Sequence, residues 1–189
     1  PEYPTPEHGT RTVVSPSKIA LGAGAVTEVG DYADLYGNKA LVVATQQIFD
    51  IHGEEILDTL RDSGVEAVTY TDVRPDPTIT NIEEAYELWR TEDCDVIVTL
   101  GGGSSIDTGK AVGVLATNPG SVREFGVDRA GYEGVPNPTP PLVAVNTTAG
   151  TGSEATRSIV VTDDETSTKF LIVSQNVVPD VAIEDPELT

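Results

Sequence analysis

Three consecutive glycines, Gly101-Gly102-Gly103, stand between an unbroken apolar run at 96–100 (VIVTL) and a segment from Ser104 onward in which Ile106, Ala111, Val114 and Leu115 recur at helical spacing. An apolar run without polar alternation suits a strand covered on both faces. A strand that turns at once into a helix needs a backbone free of side-chain restriction at the turn, which glycine supplies. This junction restricts the chain to architectures in which strands and helices alternate.

The same alternation recurs along the sequence. Strands are expected at 11–14, 40–45, 65–70, 96–100, 142–147 and 181–183. Helices are expected from about residue 25 to the glycine at 37, at 48–63, from Thr80 to about 91, and at 104–117. Past Gly152 the pattern changes: 158–162 and 169–173 read as strands separated only by Asp163-Asp164-Glu165-Thr166, the spacing of a β-hairpin. The expected fold class is α/β: a Rossmann-like open, mostly parallel sheet with helices on both faces, plus a β-hairpin near the C-terminus. Residues 1–189 read as one domain.

Charge narrows the function classes. Against 31 Asp and Glu stand 11 Lys and Arg, a formal net charge of −20 over 189 residues. Such a surface repels phosphate backbones and anionic lipid, so neither nucleic acid nor membrane is an expected partner. No apolar run approaches the ~18 residues of a membrane span. The single cysteine, Cys94, leaves no internal disulfide framework and fits a cytoplasmic location. Lysine occurs only at 18, 39, 110 and 169. An acidic, lysine-poor surface suits folding at high salt, where self-repulsion is screened; the alternative is an ordinary acidic protein.

Two segments carry candidate chemistry. After Gly101, Gly102 and Gly103, the start of a helix offers unsatisfied N–H groups to an anion, and Ser104 and Ser105 are placed to cap the helix or donate to phosphate oxygens. The alternative is a tight turn without a ligand. The spacing fits neither the G-x-G-x-x-G fingerprint nor a P-loop, since Lys110 is followed by Ala111 rather than Ser or Thr. The second segment, Asn146-Thr147-Thr148-Ala149-Gly150-Thr151-Gly152-Ser153-Glu154, gathers small hydroxyl side chains after an apolar run. It suits a flat polar ligand such as a ribose or phosphate, or else a solvated turn.

With their flanking residues, these segments resemble the two glycine-rich signatures of the iron-containing (group III) alcohol dehydrogenases. The resemblance extends through Arg74-Pro75-Asp76-Pro77-Thr78, Thr117-Asn118-Pro119, Lys169-Phe170 and the closing stretch from Pro179 to Thr189, and covers the chain from about Val13. It implies hydride exchange between NAD or NADP and a small alcohol or aldehyde. It further implies that Gly101, Gly102, Gly103 and Ser104 hold the pyrophosphate, with Asp107 supporting that loop. Thr147, Thr148, Thr151 and Ser153 would line the ribose and nicotinamide, and Lys169 would reach the cofactor from the hairpin. Lys110 is expected to snorkel from its helix or pair with a carboxylate. A homodimer is implied as well, with 11–14 as a candidate pairing edge.

Two positions depart from the family pattern. Where the family often carries an acidic residue for the adenine ribose, this chain has Thr45, which leaves NADP open and leans the reading toward it. Asp76 stands where asparagine is common. In the family, one aspartate and three histidines of a helical second domain hold Fe²⁺ or another divalent metal. The expectation is that this domain lies outside the chain, because His8 and His52 are the only histidines and have no metal-site spacing. The chain is thus expected to bind cofactor without oxidising alcohol by itself. The alternatives are a glycerol dehydrogenase or dehydroquinate synthase relative, and a non-enzymatic nucleotide-binding or assembly module.

Overall fold

The computed structural model describes residues 13–189. In chain order its strands are β1 (Lys18–Leu21), β2 (Lys39–Ala44), β3 (Glu66–Tyr70), β4 (Val96–Gly101), β5 (Leu142–Asn146), β6 (Ser158–Asp163), β7 (Thr168–Val173) and β8 (Val181–Glu184). Its helices are α1 (Val29–Asp34), α2 (Gln46–Asp62), α3 (Ile79–Thr91), α4 (Gly103–Thr117) and α5 (Val127–Ala130). Six strands form one sheet in the order β1-β8-β5-β4-β2-β3, and every pairing in it is parallel.

Every residue of β4 and β5 is buried, as the unbroken apolar runs require. Their side chains divide between two cores. Leu41, Val43, Ile97 and Ala144 face α3 and α4, whereas Ala40, Val42, Val98 and Val145 face α1 and α2. The first core also receives Ile159, Val161, Phe170 and Ile172 from the antiparallel β6–β7 hairpin, so α4 is enclosed between sheet and hairpin. Fully burying each such large apolar side chain is worth about 1.5–3 kcal/mol. This enclosure explains why α4 is buried from Ser105 through Leu115 and lacks the polar face of a surface helix.

Helix starts follow local capping chemistry. The Thr45 hydroxyl accepts from the Ile48 amide at 3.3 Å and caps α2. The cap of α3 is Thr78, accepting from the Asn81 amide at 3.2 Å, two residues before the expected start at Thr80. Asn81 is buried and bonded to Tyr70 and the Asp72 carbonyl, while the Thr80 amide is taken by Asp164 of the hairpin turn.

The N-terminal expectation is corrected. Val13 and Val14 belong to no strand, and Arg11 and Thr12 lie outside the described residues, so the proposed pairing edge at 11–14 is not a described element. The strand instead forms at Lys18–Leu21, registered on β8 at the edge of the sheet, with Ile19 and Leu21 exposed. Its exposure explains why a search for buried runs passes over it. Among the described residues no helix is long and apolar enough to cross a membrane.

Candidate functional site

A parallel sheet brings the C-terminal ends of its strands to one edge. Registered pairs place Gly101 beside Asn146 and Asn146 beside Glu184, while Ala44 lies beside Leu100. Thr45 and the triple glycine are therefore neighbours at the tips of β2 and β4. From those tips α2 crosses one face of the sheet and α4 the other, and the divergence opens a crevice of the kind that binds ligands in open α/β sheets.

At the tip of β4, Gly101 has φ +140°, a conformation that side chains disfavour, and a Cβ there would lie 2.5 Å from the Ser105 hydroxyl. A Cβ on Gly102 would lie 2.6 Å from the Thr148 hydroxyl, and one on Gly103 would lie 3.3 Å from that of Ser153. The two glycine-rich segments thus meet, and the glycines clear the space. No side chain caps α4, whose first internal hydrogen bond runs from the Ile106 amide to the Gly102 carbonyl. The expectation that Ser104 or Ser105 caps this helix is corrected. Ser105 is buried, and the Ser104 hydroxyl accepts from the Asp76 amide at 3.3 Å. The N–H groups of the first turn are consequently left without a side-chain cap.

The second loop is fastened at its entry. The Thr147 amide donates to the Gly101 carbonyl at 3.1 Å, and the Thr148 amide donates to Asn146 Oδ1 at 3.1 Å. The Asn146 amide group donates in turn to Glu184 at 3.2 Å. Burial, opposed by that Asn146 bond, raises the Glu184 carboxyl above its ordinary range, with Glu154 adding to the rise. Thr147 Oγ1 and Glu184 Oε1 are buried without a hydrogen-bond partner, which a ligand hydroxyl at this edge would relieve. Thr148 and Thr151 are exposed on the open side of the loop, and Thr151 Oγ1 accepts from the Ser153 amide at 3.4 Å.

Asp107, Lys110, Lys169 and Thr45 complete the placement. Asp107 is buried on α4, and its Oδ2 accepts from the Val160 amide at 2.9 Å. Burial raises its carboxyl above the usual range, against the pull of the Val160 amide, Lys110 and the Ser153 hydroxyl. Lys110 does not snorkel: it is 0% exposed, and its Nζ donates to the Thr156 carbonyl at 2.7 Å and the Ser158 carbonyl at 3.3 Å. Lys169 is exposed on β7 and pairs with Asp76 at 2.7 Å, and Asp76 also touches Ser104, so the hairpin lysine reaches the turn at one remove. Thr45 stands on the same edge but caps α2, apart from the loop contacts. Sequence reasoning named Asn146 only as the start of the second segment and gave neither it nor Glu184 a role, although an asparagine closing the apolar run LVAVN was a visible signal.

The uncapped helix start, the glycine-cleared contact and the orphaned Thr147 hydroxyl together fit a dinucleotide diphosphate with its ribose. They do not fit a metal ion: among the described residues no three His, Cys, Asp or Glu side chains gather. His52 is half-buried on α2, and His8 lies outside the described residues.

Residues 16–186 match the family model described as iron-containing alcohol dehydrogenase. The 1,3-propanediol dehydrogenase of Citrobacter freundii is 42% identical over 177 residues, spanning 92% of this chain and 45% of the relative. A crystal structure of a 1,3-propanediol oxidoreductase superposes with a TM-score of 0.91 at 41% identity, over 95% of this chain and 47% of that one. The sulfoacetaldehyde reductase of Bifidobacterium kashiwanohense, solved in complex with NAD+, superposes with a TM-score of 0.84 at 31% identity, over 95% of this chain and 47% of that one. The chain spans about half the length of the curated relatives it matches.

Proposed function

Because the chain belongs to the iron-containing alcohol dehydrogenase family, we propose that it supplies the dinucleotide-binding part of an enzyme that moves hydride between a small alcohol or aldehyde and a nicotinamide cofactor. One observation carries the proposal. The glycine-rich turn at Gly101–Gly103 and the hydroxyl-rich loop at 147–153 meet in contact beside the uncapped start of α4.

In this reading the first-turn N–H groups of α4 and the Ser104 hydroxyl receive the pyrophosphate. Thr147, Thr148, Thr151 and Ser153 hold the nicotinamide ribose, and Lys169 turns from Asp76 toward the cofactor. Asp107 contributes from beneath, by fixing β6 and the Ser153 side of the loop. When bound, the nicotinamide ring accepts or donates the hydride at its C4. The residues of this chain orient it, and no proton transfer or metal-dependent step is routed through them.

The cofactor is proposed to be NAD. Thr45 is joined to Asp72 by a β-bridge, and Gln46 beside it bonds Asp50. Two acidic residues thus lie beside this strand tip, and in this reading they weigh against a 2′-phosphate and against the NADP that an absent acidic residue at position 45 suggests. Titration calorimetry of the purified chain with NADH and NADPH tests both parts. The expected result is NADH binding, weaker NADPH binding, and no alcohol-dependent NADH formation even with added Fe²⁺. Absence of NADH binding would sink the reading; tighter NADPH binding would reverse the cofactor choice. Turnover of 1,3-propanediol or another small alcohol by the chain alone would overturn its assignment as a cofactor-holding part.

A further inference from the structure

We propose that Lys110 is a positioning residue: buried inside α4, it tethers the exit of the 147–157 loop to the helix whose start carries the glycine turn, and so fixes the spacing between the two halves of the cofactor grip. The proposal rests on the dinucleotide reading above.

A lysine ammonium fully removed from water is costly, and an aliphatic side chain of similar length would fill the same space at less expense of hydration. Lys110 is nevertheless 0% exposed, with both its described acceptors on backbone just past the loop, the carbonyls of Thr156 and Ser158. Three residues earlier on the same helix face, Asp107 accepts from the Val160 amide at 2.9 Å. The pair thus grips consecutive segments of one strand entry from the interior.

Apart from turns within it and an exposed ion pair from Arg157 to Glu133, this loop has few ties to the rest of the molecule. Residues 147–157 form no helix or strand, and Thr148, Thr151, Thr156 and Arg157 are exposed. At the entry stands the bond from the Thr147 amide to the Gly101 carbonyl, and at the exit the Ser174 amide takes the Arg157 carbonyl. The Lys110 contacts span 46 and 48 residues of sequence and join the exit directly to α4. Since α4 begins at Gly103, one rigid helix carries the turn at its end and the tether two turns along. Charge-assisted bonds to two carbonyls hold this geometry more firmly than neutral ones. The charged groups facing Lys110 are Asp107 on its own helix and Glu154 on the loop, both attracting the ammonium; burial outweighs them and pushes its pKa down to about 8.

The test uses Lys110→Met, which keeps an unbranched chain but removes the ammonium, and Lys110→Met combined with Asp107→Asn, which also removes the carboxylate left unpaired. NADH affinity, melting temperature and amide exchange across 155–161 are measured for each. The expected result for Lys110→Met is an affinity loss of about tenfold or more, as a preorganised loop is released, with faster exchange confined to that stretch. The double variant should regain melting temperature without regaining affinity. Wild-type affinity should decline between pH 7 and 9.5 as the ammonium loses its proton, and the Lys110→Met profile should be flat.

Affinity that recovers in step with melting temperature would reduce Lys110 to a general stabiliser and overturn the proposal, as would wild-type affinity in Lys110→Met. If the single variant does not fold, the wild-type pH titration decides, since constant affinity and constant protection factors, with exchange corrected for its intrinsic rise with pH, also refute the tether. If the wild-type chain binds no NADH, the dinucleotide reading fails, and the tether stands or falls on exchange across 155–161 in Lys110→Met alone.

Discussion

Gly102→Ala is the sharpest perturbation of the candidate grip. Gly102 has φ −90° and ψ −157°, extended backbone that alanine adopts without strain, so the substitution acts only through its added methyl group. That methyl would lie 2.6 Å from the Thr148 hydroxyl and 2.9 Å from its Cβ. Ordinary contact is about 3.5–4.0 Å, so the second loop must retreat by about 1 Å. Overpacking a closed core typically costs about 1–3 kcal/mol, but Thr148 is exposed and moves into solvent, which places the stability cost at about 1 kcal/mol or less. Binding is the more sensitive quantity, because displacing positioned groups by about 1 Å can cost up to about a hundredfold. The expected outcome is NADH affinity reduced about ten- to a hundredfold, or about 1.4–2.7 kcal/mol, with a nearly unchanged melting curve. Thr148→Gly in the same chain removes both clashing atoms but also a proposed ribose contact, so it should recover the affinity only in part. Calorimetric titration and thermal melting measure the two quantities on one sample. Wild-type affinity in Gly102→Ala would show that contact between the segments does not govern binding.

Stability should also report the buried lysine. The folded pKa of Lys110, about 8, lies below the 10.5 of a free lysine, so from about pH 8 to 10 the unfolded chain holds a proton that the folded chain has released. Stability from this group therefore rises with pH across that window, by up to the order of 3 kcal/mol for the full shift. Cys94, whose thiol burial pushes up to about 11, slopes the other way above about pH 9, so the difference between wild type and Lys110→Met in urea unfolding isolates the lysine. A difference that stays constant from pH 7 to 10 contradicts the burial argument. The net charge of −20 makes a separate prediction about salt. Raising KCl from about 0.1 M to 1 M shortens the screening length from about 10 to 3 Å, and should raise the melting temperature by about 5 °C or more. An unchanged midpoint would remove self-repulsion, and adaptation to high salt, from the account of this chain.

Much of the fold was legible because its signals are local. Unbroken apolar runs such as 40–44, 96–100 and 142–145 announce strands covered on both faces, and the hydroxyl-rich loop after one of them marks the second half of the candidate site. The hairpin was legible from two strand-like runs separated by four turn-forming residues. Thr45 and Lys169 were visible as residues, but their immediate partners were not: Thr45 caps α2, and Lys169 meets Asp76 from a distant loop. Strand β1 was missed because an exposed edge strand carries no buried pattern, and Thr78 displaced Thr80 as a cap because the buried Asn81 and the distant Asp164 fix how α3 starts.

By itself, then, the amino-acid sequence determined which segments become strands, helices and the two glycine-rich connections, since periodicity and glycine act over a few residues. Only the tertiary structure decided the strand order, the crevice between β2 and β4, the contact of Gly102 with Thr148, and the burial of Lys110 against carbonyls 46 and 48 residues away. A lysine reads as a surface residue from its chemistry. Its burial follows from the hairpin closing over α4, which no window of neighbouring residues contains.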